Sequence, residues 1–411
     1  MKTLTEHYRL LLGLDSAWKV GNVSLSLEDK KVEIELEHLG GRMACPDCRQ
    51  QWPIADHAPS RTWRHLDTMQ FETILRAQVP RVHCPEHGVK TATVPWADKH
   101  SRFTWFFEAF VVQIIQATSS LSAASRLLRL DWDALQRVME RAVERGMERR
   151  EEREIPYLGV DEKNFGKGQD YVSILTDIAG SRILEVVEDR TQAAAESLFE
   201  TLSEEQRDNV EAVAMDMSQA YRNAAEKCVP QAAIVHDKFH LAKHLNEAVD
   251  QVRRQEHKTL RAEGDERLTG SRQLWLFRPE NIEPDLRLVF DDLRAEELKT
   301  SRAWALKEQF RWFWEYTYAG NAKKFFDRWY AWASRCRLKP IVKVAAMFKR
   351  HLPRLLTYFK HPITNATSEG FNSRVQAIKA QARGFRDFAN YRVRILFHCG
   401  RLDLLPTIAT H

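Results

Sequence analysis

Alternation of apolar and polar residues marks "NVSLSLEDKKVEIELE", residues 22–37, as a small antiparallel hairpin. Two further strand-like runs, "RTWRHLDT" and "FETILRAQVPRVHC", follow it. After Pro95 the period becomes helical. "TWFFEAFVVQIIQATSS" is a strongly apolar helix, and "SLSAASRLLRL" and "DWDALQRVMERAVERGMERR" follow, joined by a tight turn where Asp131 or Asp133 caps the last helix. Beyond the charged linker "ERGMERREEREIP" the period of two returns. "YLGVDEKNF", "DYVSILTDIAG" and "SRILEVVEDR" predict three strands separated by "GKGQ" and "AGS". A helix, "TQAAAESLFETLSEEQ", the buried strand "VEAVAMD", a second helix and the strand "AAIVHD" complete this stretch. Some 130 residues of mostly helical pattern come next, ahead of a last helix in "HPITNATSEGFNSRVQAIKAQARGF".

The 411 residues suffice for two to four domains. No segment carries the ~20 apolar residues of a membrane span, and the N-terminus lacks the apolar core of a signal peptide, so a cytoplasmic location and no membrane partner are expected. Six cysteines, only some of them closely paired, do not form a secreted disulfide framework. The net charge of +5 is uneven: from Lys339 to Arg401 there are 13 Lys and Arg against two acids, interleaved with aromatics, a composition that suits a polyanion.

Two cysteine-centred pairs stand out. "CPDC" holds Cys45 and Cys48, and "RVHCPEHG" holds Cys84 and His87, each pair separated by two residues. Each tight turn offers two ligands to one tetrahedral Zn²⁺, as in a zinc ribbon, with His83 the rival fourth ligand. Four protein ligands leave no open position, so this zinc would be structural. Cys228, Cys336 and Cys399 are isolated and read as buried apolar residues. The three helices after Pro95 match a helix-turn-helix, which would put Trp132, Gln136, Arg137 and Arg141 near DNA.

The order β-β-β-α-β-α-β is that of an α/β ribonuclease H-like core, a mixed five-stranded sheet with helices on its faces. In that arrangement the first and fourth strands are neighbours, bringing Asp161 beside Asp216 at the end of "AVAMD". Taken alone, Asp216 could simply cap the next helix. Two adjacent carboxylates instead ask for a hard divalent cation between them. The last helix, beginning near Asn365 or Thr367, would add Glu369, with Asn372, Gln376, Lys379 and Arg383 following on one face as a basic track for a phosphate backbone. Three carboxylates can hold two Mg²⁺ (or Mn²⁺) ions about 4 Å apart for phosphoryl transfer. In the intervening helical stretch, Trp304, Trp312, Trp314, Trp329 and Trp332 read as core residues. A second reading stacks one or two of them on unpaired bases near Arg311 or Arg335.

"GVDEKNF", "AMDMSQAY", "VHDKFHL" and "TSEGFNSRVQAIKAQARGF" resemble the signature blocks of DDE-type transposases of bacterial insertion sequences, more narrowly the ISL-three family, over residues 5–400. The resemblance implies that Asp161, Asp216 and Glu369 are a catalytic triad and that Asp237 and His240 form a supporting Asp-x-x-His element. It also implies an N-terminal zinc-binding segment, although family members often use a wider cysteine spacing in the second pair. The expected layout is a strand-rich segment 1–40, a zinc-binding domain 41–98, a helix-turn-helix 99–150, the core in two parts, 151–242 and 361–411, and a helical insertion 243–360 between them. The protein would bind terminal inverted repeats and target DNA as a homodimer or higher homo-oligomer. A DNA-binding regulator without catalysis and a ribonuclease H-like nuclease without strand transfer are the alternatives.

Overall fold

The computed structural model describes residues 3–165, 170–364, 366–382, 385 and 387–407, with the backbone alone for 366–369. Its chain forms two units, residues 1–150 together with the segment from Arg401, and residues 151–400.

The first unit opens with α1 (Leu4–Leu11), then β1 (Trp18–Ser26), β2 (Lys31–His38), β3 (Arg42–Ala44), β4 (Gln51–His57), β5 (Arg61–Thr68), β6 (Phe71–Ala77), β7 (Pro80–Cys84) and β8 (Gly88–Thr91). Two four-stranded sheets result, β1-β2-β6-β5 and β3-β4-β7-β8. Along β2 the residues alternate, so that Val32, Ile34 and Leu36 enter a core shared with Trp18, Trp63 and Trp96. Trp96 packs edge-on against Trp18 and Trp63, with centroids 4.8 and 5.4 Å away, the arrangement the ring quadrupoles favour. Three helices follow, α2 (Trp105–Thr118), α3 (Leu121–Leu128) and α4 (Trp132–Glu148). Thr104, Ser120 and Asp131 accept the first free amides of α2, α3 and α4, so Asp131 and not Asp133 is the cap of α4. The end of the chain belongs here too: Arg145 Nη1 donates to the Leu404 carbonyl at 2.8 Å. Gly146 admits that segment, since a Cβ would stand 2.6 Å from Leu402 Cβ.

In the second unit β9 (Tyr157–Asn164), β10 (Tyr171–Asp177) and β11 (Arg182–Glu188) form an antiparallel meander. The helices α5 (Gln192–Glu200) and α6 (Glu204–Asp208) lead to β12 (Ala212–Met215), and α7 (Gln219–Cys228) leads to β13 (Ala233–His236). The sheet order is β11-β10-β9-β12-β13, with β12 parallel to both β9 and β13. β12 is covered on both faces, Val213 and Met215 by one apolar cluster and Ala212 and Ala214 by another. That double burial is why its sequence is a continuous apolar run.

α8 (Lys238–Ala262), α9 (Arg272–Leu276), α10 (Pro284–Ala295), α11 (Lys299–Arg311), α12 (Ala319–Arg335) and α13 (Lys339–Leu356) build the helical part. Its core centres on Phe310, Trp329 and Phe348, and Trp329 Nε1 donates to the Leu306 carbonyl at 2.9 Å. Trp304 is buried with them and Trp314 packs at the edge, as expected of core residues. Trp312 and Trp332 are not core: Trp312, in the turn just past α11, is 64% exposed, and Trp332, on α12, is 40% exposed. Cys336 and Cys399 are buried, whereas Cys228 is half-buried at the end of α7. α14 (Ala366–Gln381) and α15 (Phe388–Cys399) close the unit, and Arg392 Nε on α15 donates to Glu185 Oε1 on β11 at 2.6 Å.

Candidate functional site

Asp161 and Asp216 owe their proximity to one strand pair. β12 runs parallel to β9 with Ala214 opposite Gly159, so Asp216 lies two residues past one and Asp161 two residues past the other. Asp161 is 5% exposed; its Oδ1 accepts the Glu162 amide at 2.8 Å. Its Oδ2 accepts from Asn372 Nδ2 at 2.8 Å and lies 3.5 Å from the Lys163 ammonium. Glu162 turns elsewhere and pairs with Arg190 at 3.5 Å. Asp216 Oδ1 accepts the Ser218 amide at 2.8 Å, an Asx-type turn, and Ser218 rather than Asp216 occupies the N-cap position of α7. Burial pushes the Asp216 carboxyl above the usual carboxylate range, the Ser218 amide and His240 oppose this, and the Asp161 charge adds to it.

Asp237 is buried at the N-cap of α8, accepting the Phe239 amide at 3.3 Å and His240 Nδ1–H at 3.1 Å. That hydrogen bond raises the His240 pKa, against the effect of burial and with help from the Asp161 charge. Two histidines that sequence reasoning missed lie behind them. His236, at the end of β13, is held neutral by burial, its pKa lowered to about 4. Its Nδ1–H donates to the Asp216 carbonyl at 3.1 Å, which leaves Nε2 to accept from His351 Nδ1 of α13 at 3.2 Å. A lone histidine in an apolar strand carries no pattern that would have announced this.

Asp161, Lys163, Asp237, His240, Lys243 and Asn372 line one open cleft of about 710 Å³. Glu369 lies on α14, one helical turn before Asn372, but its side chain lies outside the described residues, as does the whole of Arg383. Lys379 is not on a free basic track: its ammonium donates to the Asn164 carbonyl at 2.9 Å and tethers α14 to β9.

In the first unit Cys45, Cys48, Cys84 and His87 converge, each with a ligand atom within 4.8 Å of the others. His83 alternates to the exposed side of β7 between the buried Val82 and Cys84 and takes no part. Along α4, Trp132 and Arg137 are exposed. Gln136 is 5% exposed and donates to Glu140 at 3.0 Å, so it faces the packing side, not a groove. Arg141 is also engaged inside the unit: it and Arg145 grip the buried Glu108 at 2.6 and 2.7 Å.

Three family profiles match the chain: a transposase profile of the DDE type over residues 158–395, the zinc finger of the IS204/IS1001/IS1096/IS1165 transposases over 41–87, and the helix-turn-helix domain of transposase family ISL3 over 92–143. The chain is 25% identical over 370 residues to the transposase for insertion sequence element IS1001 of Bordetella parapertussis, spanning 89% of this chain and 91% of that one. It is 26% identical over 409 residues to the transposase for IS1557 of Mycobacterium tuberculosis, spanning 92% of each.

Proposed function

The chain belongs to the ISL3 family of transposases, enzymes that act on DNA, and from that premise we propose that it binds the terminal inverted repeats of an insertion sequence and cuts and rejoins their strands. Asp161, Asp216 and Glu369 are its catalytic carboxylates, on a ribonuclease H-like core. The observation that carries this reading is the β9–β12 pairing, which sets Asp161 and Asp216 at matching positions on adjacent strands.

The donors fit Mg²⁺ or Mn²⁺. They are hard carboxylate oxygens: Asp161 Oδ2 accepts from the Asn372 amide and faces Lys163 at 3.5 Å, and burial pushes the Asp216 carboxyl up. The ion, when bound by Asp161, Asp216 and Glu369, supplies charge that activates water or a 3′-hydroxyl and stabilises the leaving oxygen. Asp161 within β9 and Asp216 just past the end of β12 are held by the sheet, which matters because displacement of reacting groups by about 1 Å can cost about 100-fold in rate. Asp237 orients His240, and that hydrogen bond favours the charged form of the imidazole in the cleft that Asp161 also lines. His236, at the end of β13 and itself held by His351 of α13, bonds to the Asp216 carbonyl and fixes that backbone.

The Cys45, Cys48, Cys84 and His87 set suits a closed structural Zn²⁺ that ties the two turns together. End recognition falls to this segment and to the exposed start of α4, with Trp132 and Arg137 facing DNA. Bringing two ends together calls for a homodimer or larger assembly, acting in the cytoplasm. Labelled element ends incubated with the protein and with Asp216→Asn, in Mg²⁺ and in EDTA, test the proposal. Metal-dependent 3′-hydroxyl ends and joined products, lost in the variant, are expected. Cleavage without joined products would make it a nuclease, and binding without cleavage would make it a regulator.

A further inference from the structure

Three open clefts of the second unit run into one another. The carboxylate cleft shares Phe239, Ala242, Asn246 and Leu276 with a neighbour of about 210 Å³, which extends to Trp314 and Glu315. Glu315 also borders a groove of about 550 Å³ walled by Trp312 and Trp332. The path therefore leads from Asp161 across the helical subdomain to two exposed indole rings. Folding does not require those rings outside, since Trp304, Trp329 and the phenylalanines around them already fill the core.

Positive charge accompanies the path. Lys243 lies in the first cleft, Arg278 in the second and Arg328 in the third, and among the described residues none of the three forms an ion pair. On α12, Lys324, Arg328, Trp332 and Arg335 follow one another at intervals of four, four and three, which stacks a ring and three cations on one helical face. Among the described residues, Glu315 is the one carboxylate bordering the tryptophan groove. A protein partner for an apolar patch would not select this alternation of flat rings and unpaired cations. A nucleic-acid strand with unpaired bases does, because every base has a face to stack and every linkage a charge.

We propose that this path holds the unpaired strand of a DNA end under reaction at the carboxylates. Its bases stack on Trp312 and Trp332, its phosphates pass Lys243, Arg278 and Arg328, and Glu315 accepts from an exocyclic amine of an unpaired base. The inference rests on the placement of the active site at Asp161 and Asp216.

The test is fluorescence anisotropy of the full-length, zinc-loaded protein with a labelled single-stranded oligonucleotide of about 12 nucleotides, a length within the site sizes of single-strand binders. A terminal-repeat duplex serves as the control. Trp312→Ala/Trp332→Ala should bind the single strand roughly ten-fold or more weakly, the scale of losing stacked bases, with duplex affinity unchanged. Trp312→Phe/Trp332→Phe should keep most of the affinity, since a ring remains. Failure of the wild-type protein to bind the single strand would overturn the proposal. So would an unchanged affinity in the alanine variant, which would leave the groove to a protein partner, or equal losses for single strand and duplex. Cleavage insensitive to Asp216→Asn would refute the active-site placement, a result separate from this binding measurement.

Discussion

Glu108→Gln isolates one buried charge. Glu108 on α2 is 1% exposed, with Oε2 accepting from Arg141 at 2.6 Å and Oε1 from Arg145 at 2.7 Å. The amide keeps the shape but removes the charge, and its NH₂ then meets a guanidinium, donor against donor. Removing one member of a buried ion pair costs about 3–5 kcal/mol. Arg141 is 32% and Arg145 13% exposed, so water takes up part of the loss. A destabilisation of about 2–3 kcal/mol remains, and at about 2–4 °C per kcal/mol for a unit of this size it lowers the melting temperature by roughly 5–10 °C. Scanning calorimetry of the zinc-loaded full chain should show the transition of the first unit move and that of the second stay. Arg141→Ala should act in the same direction, because Arg141 braces α4 against α2. A shift below about 2 °C, or an equal shift in both transitions, would refute the reasoning.

Arg137, exposed on the same helix, should behave differently: Arg137→Ala is expected to leave melting unchanged while lowering the salt-dependence slope of repeat-DNA binding by about one, read from titrations at several ionic strengths. Cys84→Ser or a strong chelator should release about one zinc per chain and expose the segment from β3 to β8 to limited proteolysis, with the second unit intact; zinc-free protein that resists cleavage there would contradict the structural role. His65, whose Nδ1 lies 2.9 Å from Thr104 Oγ1, has its pKa lowered to about 4, by burial first and then by the Arg64 charge. The unfolded chain therefore binds a proton at about pH 6.5 that the folded unit refuses. The contribution is present above pH 6.5 and is lost as the pH falls towards 4, about 1 kcal/mol of it by pH 5.5. Denaturant midpoints at pH 7.5 and 5.5, compared with those of His65→Gln, measure it.

Periodicity revealed the elements wherever one face of an element is buried. The three helices ahead of residue 150 and the five strands of the second unit were legible because burial on a helix or a strand imposes its own repeat on the sequence. The convergence of the two cysteine-centred pairs was legible because donors that share one site from tight turns keep a fixed spacing. The strands β3, β4, β7 and β8 were harder to read: they are short, their outer positions are exposed, and their core is small, built around Cys45, Val82 and Cys84. α4 shows the limit most plainly. Its charged and polar residues looked interchangeable as DNA contacts, yet Arg137 is exposed, Gln136 is packed and Arg141 is committed to a glutamate 33 positions earlier.

By itself the sequence determined local structure and the identity of the chemical groups: which runs become strands or helices, which turns carry paired cysteine and histidine side chains, and which carboxylates end apolar strands. Those properties depend on residues a few positions apart. Which distant groups meet was decided only in the tertiary structure. The parallel pairing of β9 and β12 sets Asp216 beside Asp161, Asn372 reaches Asp161 across 211 positions, and His351 reaches His236 across 115. The rotation of α12 about its axis decides that Trp329 is core and Trp332 is surface. Such choices follow from the packing of whole elements, where the summed burial of many side chains sets one register and one rotation, and no local repeat records the result.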